Sequence, residues 1–126
     1  MVNGKAFVIP NTNNLVAIYQ GGILQINGSI SINDNDESIL LSLSDPLKAN
    51  KTYKFENNIY KAGYTKRDEN TTCIYDSNKT YVGSINLTKI DRINYIVSGR
   101  FEFSTITDDC EEVKITNGRF DMNYTN

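Results

Sequence analysis

The sequence predicts an all-β domain, an antiparallel meander of about ten strands forming a β-sandwich or flattened barrel. Three observations predict it. Apolar and polar residues alternate with a period of two through most of the chain, as a strand with one face against a core requires. Turn pairs such as Gly21-Gly22, Asn57-Asn58 and Asn117-Gly118 punctuate that alternation. Fifteen Ile, eleven Thr and eight Tyr favour extended backbone, while Ala and Leu are scarce.

Each turn implies a register. Gly21-Gly22 as a two-residue turn sets Tyr19 opposite Leu24 and Ala17 opposite Ile26. The acidic stretch from Asn33 to Ser38 reads as a loop that pairs Ile32 with Ile39 and Ile30 with Leu41. Ser44 to Ala49 reads as one helical turn. Asn57-Asn58 would set Phe55 opposite Tyr60 and Tyr53 opposite Ala62. A loop around Asp91-Arg92 would set Leu87 against Tyr95, Ile85 against Val97 and Tyr81 against Phe101, with Gly83 facing Gly99. Asn117-Gly118 is the strongest hairpin signal and would pair Ile115 with Phe120, Lys114 with Asp121 and Val113 with Met122. Inward glycines at Gly28, Gly83 and Gly99 fit strands that bend. The functional reading of those glycines is a ligand cavity; plain sheet curvature accounts for them as well.

With 126 residues and neither a repeat nor a low-complexity linker, the chain is expected to be one domain, 1–126. Thirteen Lys and Arg against fifteen Asp and Glu give a net charge of −2, which supplies no field for nucleic acid. There is no His. That removes Ser-His-Asp and Cys-His catalysis, His-ligated zinc and imidazole pH sensing. No apolar run approaches the roughly 18 residues of a membrane helix, and Met1 to Lys5 does not open a signal peptide. Polar strands and seventeen Asn favour an exported mature domain whose leader has been removed; a cytoplasmic protein is the alternative.

The C-terminal half carries a recognisable pattern. It runs Gly83-Ser84-Ile85-Asn86-Leu87-Thr88-Lys89-Ile90-Asp91, then Val97-Ser98-Gly99-Arg100-Phe101-Glu102-Phe103, then Val113-Lys114-Ile115-Thr116-Asn117-Gly118-Arg119-Phe120. Upstream stands Lys51-Thr52-Tyr53-Lys54-Phe55, followed by Tyr60. Together these segments resemble a group of small Bacteroidetes and flavobacterial envelope lipoproteins of unknown function. The resemblance runs from Lys51 to Tyr124 and is loose over the first 45 residues. It implies a cell-envelope domain, periplasmic or tethered to the outer membrane by a lipid attached outside this chain. It brings no catalytic residues.

Several residues are candidates for a site. Tyr53, Phe55, Tyr60, Tyr64, Tyr75 and Tyr81 crowd one stretch and could stack on sugars or line a pocket for an apolar ligand. They would equally serve as core rings with solvated hydroxyls. Cys73 and Cys110 could form a disulfide. The expected ladders hold them too far apart within one sheet, so a bridge must cross a sandwich or follow a register shift; two free thiols are the alternative. Asp34 to Ser38 and Asp108 to Glu112 are acidic enough for Ca²⁺ but read equally as solvated hairpin tips, and the first fails the EF-hand pattern because Ile39 stands where Gly belongs. Glu56, Glu102 and Asp121 are the strand-borne carboxylates a His-free hydrolase could use, yet all fall on outward positions. The reading is therefore a non-enzymatic, envelope-associated domain that binds a ligand or partner or is structural, with no cofactor and no metal. Its alternatives are a calycin-like barrel holding a small apolar ligand and a carboxylate-dependent hydrolase.

Overall fold

In the computed structural model the described residues are 15–32, 35–55, 59–67, 72–75, 80–107 and 110–126. They form nine strands: β1 (Leu15–Gln20), β2 (Ile23–Ile32), β3 (Asn35–Ser44), β4 (Lys51–Lys54), β5 (Tyr60–Arg67), β6 (Thr72–Tyr75), β7 (Thr80–Asp91), β8 (Ile96–Thr107) and β9 (Cys110–Asn123). The strands make a five-stranded sheet in the order β1-β2-β3-β5-β6 and a four-stranded sheet in the order β4-β7-β8-β9. All neighbouring strands are antiparallel. The two sheets do not close into a barrel, so of the two expected architectures the molecule takes the sandwich.

Alternation dictates the interior. Leu24, Ile26, Leu41, Leu43 and Tyr64 from the larger sheet bury with Ile85, Leu87, Val97, Phe101 and Ile115 from the smaller one. One apolar cluster joins them. The first hairpin has the expected register, Tyr19 to Leu24 and Ala17 to Ile26. Gly21 and Gly22 have φ of 60° and 80°, the two positive values that a type I′ turn needs.

The other expected registers shift. The acidic stretch from Asp36 to Ser38 belongs to β3, not to a loop: Ile30 pairs with Glu37 and Ile26 with Leu41. Arg67 on β5 bridges Asp36 at 2.7 Å, and the Tyr64 hydroxyl donates to Glu37 at 3.0 Å. Asn57-Asn58 lies outside the described residues, but β4 and β5 do not pair. Tyr53 pairs with Ile85 and Ala62 with Leu41. The chain thus changes sheets between β4 and β5, and two potential edges, on β3 and β7, gain partners.

Asn117-Gly118 is not a turn. β9 runs on through it, with Gly118 opposite Phe101 and Ile115 opposite Phe103. An irregularity between those pairs moves the buried positions from Ile115 to Gly118, Phe120 and Met122, as an extra residue in one strand does. Lys114 accordingly lies opposite Ser104, not Asp121. The β7–β8 turn is longer than expected: Ile85 faces Phe101, Leu87 faces Gly99, and Gly83 faces Phe103. Gly28 is buried as expected.

Two connections close one end of the sandwich. The segment from Asp45 to Asn50 crosses between the sheets without a helical turn. It is held by the Asp45 N–H on the Gly22 carbonyl, 2.8 Å, and the Asn50 N–H on that of Leu87, 2.6 Å. The chain beyond β9 crosses the other way. The Tyr124 N–H donates to Tyr95 O, 2.8 Å, and the Thr125 N–H to Ala17 O, 2.9 Å, in an isolated parallel bridge to Ile18.

Candidate functional site

These two crossings meet the Gly21-Gly22 turn and the β7–β8 loop at one corner, and a recess opens there. It has a volume of about 240 Å³ and is lined by Tyr19, Gly21, Gly22, Asp45, Arg92, Tyr95, Tyr124 and Asn126. Tyr19 points inward from β1 and is 8 % exposed. Its hydroxyl donates to the Asp45 carboxylate. Arg92 lies over the Tyr19 ring with its guanidinium carbon 5.4 Å from the centroid. The same side chain donates from Nη2 to the Leu47 carbonyl at 3.0 Å and to the Tyr19 hydroxyl at 3.5 Å. Guanidinium, phenol and carboxylate thus form one hydrogen-bonded chain across the floor.

The walls are aromatic. The Tyr19 and Tyr124 rings lie 5.5 Å apart, and Tyr95 meets Tyr124 nearly at a right angle, 5.6 Å apart and 86° between planes. Tyr95 is 44 % exposed and forms the open side. The loop that presents it is built by Asp91. Asp91 Oδ1 accepts the N–H of Ile93 at 3.0 Å and of Asn94 at 2.9 Å, an Asx-type turn. Those bonds hold the Asp91 carboxyl below the ordinary carboxylate range, the contact with Asn94 contributing most. Tyr95 then takes a left-handed φ of 56° to re-enter β8. Burial, reinforced by the Asp45 hydrogen bond and opposed by Arg92, pushes the Tyr19 hydroxyl up to about 12. At neutral pH it is a neutral donor and acceptor.

One family matches nearly the whole chain, over residues 5–122, and is described as a domain of unknown function, DUF6252. The chain belongs to that family. No curated protein and no solved structure matches it. In this DUF6252 domain Tyr19, Gly21, Gly22, Asp45, Arg92 and Tyr95 fall within the matched span, and Tyr124 lies just beyond it.

The tyrosines singled out from the sequence of the DUF6252 chain lie elsewhere. Tyr53, Phe55 and Tyr64 are part of the buried cluster, with Tyr60 packed against it. Tyr53 and Tyr60 come from opposite sheets, and their rings meet 5.0 Å apart. The Tyr53 hydroxyl accepts the Lys48 N–H at 2.7 Å, so its polar end is satisfied. Tyr75 and Tyr81 stand in β6 and β7, and their side chains lie outside the described residues.

Cys73, on β6, is disulfide-bonded. The chain's other cysteine, Cys110, begins β9 in the opposite sheet. The reading with two free thiols is therefore corrected: sheet assignment puts the two cysteines on facing layers, where in-sheet offset no longer separates them. Glu102 and Asp121 are exposed, and Asp121 accepts from Ser98 Oγ at 2.6 Å. Asp36 and Glu37 are engaged with Arg67 and Tyr64. Glu56, Asp34, Asp108 and Asp109 lie outside the described residues. The described residues contain no group of three or more metal-ligating side chains.

Proposed function

We propose that this DUF6252 domain is an extracytoplasmic binding module of the cell envelope, carried by a lipid-anchored protein of Bacteroidetes type, that performs no catalysis. The observation that carries the reading is the disulfide at Cys73. Structural disulfides persist in oxidising compartments and are rare in the cytosol. The binding part rests on the recess at the β1–β2 turn, where aromatic walls and a charged floor leave an opening to solvent. The absence of catalysis is supported by three features. The chain has no His. The Tyr19 hydroxyl in the recess is pushed up, not down, which suits a hydrogen-bonding group and not a nucleophile. Glu102 and Asp121 stand in the open on a sheet's outer face, without the enclosed pair of carboxyls a glycosidase needs.

The test is fractionation of cells that express the tagged native gene, with maleimide labelling of the denatured, unreduced protein. Recovery in the envelope fraction with both cysteines unlabelled is expected. A cytosolic protein whose cysteines both label would overturn the reading.

A further inference from the structure

We infer that the corner recess binds a single neutral sugar ring, laid against Tyr95 and hydrogen-bonded by Asp45 and Arg92. This deepens the binding reading above and rests on it. The size comes first. A volume of about 240 Å³ falls short of the roughly 300–1,000 Å³ that encloses a drug-sized ligand or cofactor. It suits one ring, with the rest of a chain left in solvent.

The charge pattern comes next. Arg92 and Asp45 both line the recess. A free anion placed there meets the Asp45 carboxylate, and a free cation meets the guanidinium, so neither sign is favoured. A sugar hydroxyl is donor and acceptor at once, and adjacent hydroxyls can give to a carboxylate while accepting from a guanidinium. The floor offers that pairing in a fixed arrangement. Arg92 is pinned by the Leu47 carbonyl and by the Tyr19 ring beneath it, and Tyr19 ties its hydroxyl to Asp45. Little side-chain freedom remains to be lost on binding.

The walls supply the apolar half. The C–H face of a pyranose packs on an aromatic ring, and Tyr95, a residue 44 % exposed, supplies one at the open side. Tyr124 stands at 86° to it as an end wall. Ile93, at 86 %, projects from the same loop and extends the apolar surface outward, where a following sugar of a chain would lie.

The test is amide chemical-shift mapping on the ¹⁵N-labelled protein with methyl β-glucoside, methyl α-mannoside, methyl β-galactoside and N-acetylglucosamine. Choline, acetate and inorganic phosphate serve as charged probes. A solvent-open site for one ring should bind in the millimolar range, so titration to about 50 mM suffices. At least one sugar is expected to shift Gly21, Gly22, Ile93 and Tyr95 together. Tyr95→Ala should weaken binding about tenfold or more, and Tyr95→Phe should stay within about threefold, since stacking needs the ring and not the hydroxyl. Val82→Ser, exposed and remote from the recess, should change nothing. Silence from all four sugars, preference for a charged probe, or shifts centred elsewhere would each overturn the assignment. A cytosolic protein that shows the sugar shifts sinks the envelope reading alone; an envelope protein without them sinks this one alone.

Discussion

Replacing Gly118 with Ala drives a methyl group against the Phe101 ring. A Cβ built on Gly118 lies 2.7 Å from Phe101 Cδ2 and nearer still to Cε2 and Cζ, whereas carbon atoms pack at about 3.5–4.0 Å. The ring must therefore retreat by about 1 Å. It has little room to move: Phe101 is buried, with its ring stacked 6.3 Å from that of Phe103 and tilted against that of Phe120, also at 6.3 Å. Overpacking of a close-packed core costs about 1–3 kcal/mol, and this geometry belongs at the upper end, about 3 kcal/mol or about 10 °C in Tm. The assay is urea unfolding of the four proteins of a double-mutant cycle with Phe101→Leu. Phe101→Leu alone should cost about 1–2 kcal/mol. In its background Gly118→Ala should cost less than about 1 kcal/mol, a coupling of about 2 kcal/mol. Had Asn117-Gly118 been a type I′ turn, Ala would be penalised by its positive φ whatever stood at 101, and the two changes would add. Additivity within about 0.5 kcal/mol, or a Gly118→Ala protein as stable as its parent, refutes the bulge.

Three further outcomes are expected. Replacing both cysteines with Ser, or reducing the protein, should lower stability by about 4 kcal/mol, the loop-closure value for residues 73 to 110, read as a lower urea midpoint. Because the Tyr19 hydroxyl rises from its ordinary value of 10.0 to about 12, the unfolded chain loses that proton first. Stability from this group should be complete below pH 10 and fall between pH 10 and 12, and Tyr19→Phe should remove that alkaline limb in unfolding experiments across the range. Asp91, whose pKa is lowered, has the opposite sign: its contribution is present above 3.8 and is lost as pH falls through the folded value. Asp91→Ala should lower Tm and weaken sugar binding through the loop that carries Arg92 and Tyr95. Asp91→Asn should keep most of both, because an amide oxygen can still accept from Ile93 and Asn94, and calorimetry with shift titration checks the pair.

What could be read from the sequence depended on how local its cause was. The Gly21-Gly22 hairpin was legible to the residue, because two glycines with positive φ determine both turn and register. The buried alternation was legible as well, and with it the all-β class. Pairing across sheets was not. Tyr53 opposite Ala62 and Tyr53 opposite Ile85 are equally good apolar matches, and the choice is made by which edges must be covered. The Asn-Gly at 117–118 shows the same limit. It carries the composition of a turn, but Gly118 has no positive φ, and the glycine is there to admit a ring from the neighbouring strand. A local signal was answered by a non-local need.

The recess was illegible for a related reason. Its residues come from the end of β1, the turn after it, the crossing at Asp45, the β7–β8 loop and the chain beyond β9, so no window of sequence contains it. The crowded tyrosines from Tyr53 to Tyr81 drew attention because they are close in sequence, yet Tyr53 and Tyr60 spend their rings on each other across the core. The tyrosines that line the recess span more than a hundred positions, Tyr19 to Tyr124. What brings them together is backbone. Thr125 pairs with β1, and Tyr124 with Tyr95, and among the described residues the Thr125 bonds satisfy N–H and C=O groups on the outer side of β1. Covering that edge forces the C-terminal segment across the corner, and crossing the corner leaves a gap that no strand can fill. The sandwich thus obtains its recess from the same contacts that protect its edge, which is why changes to the C-terminal crossing should alter stability and binding together, while Tyr95, whose ring touches Tyr124 from the open side, should alter binding more than stability.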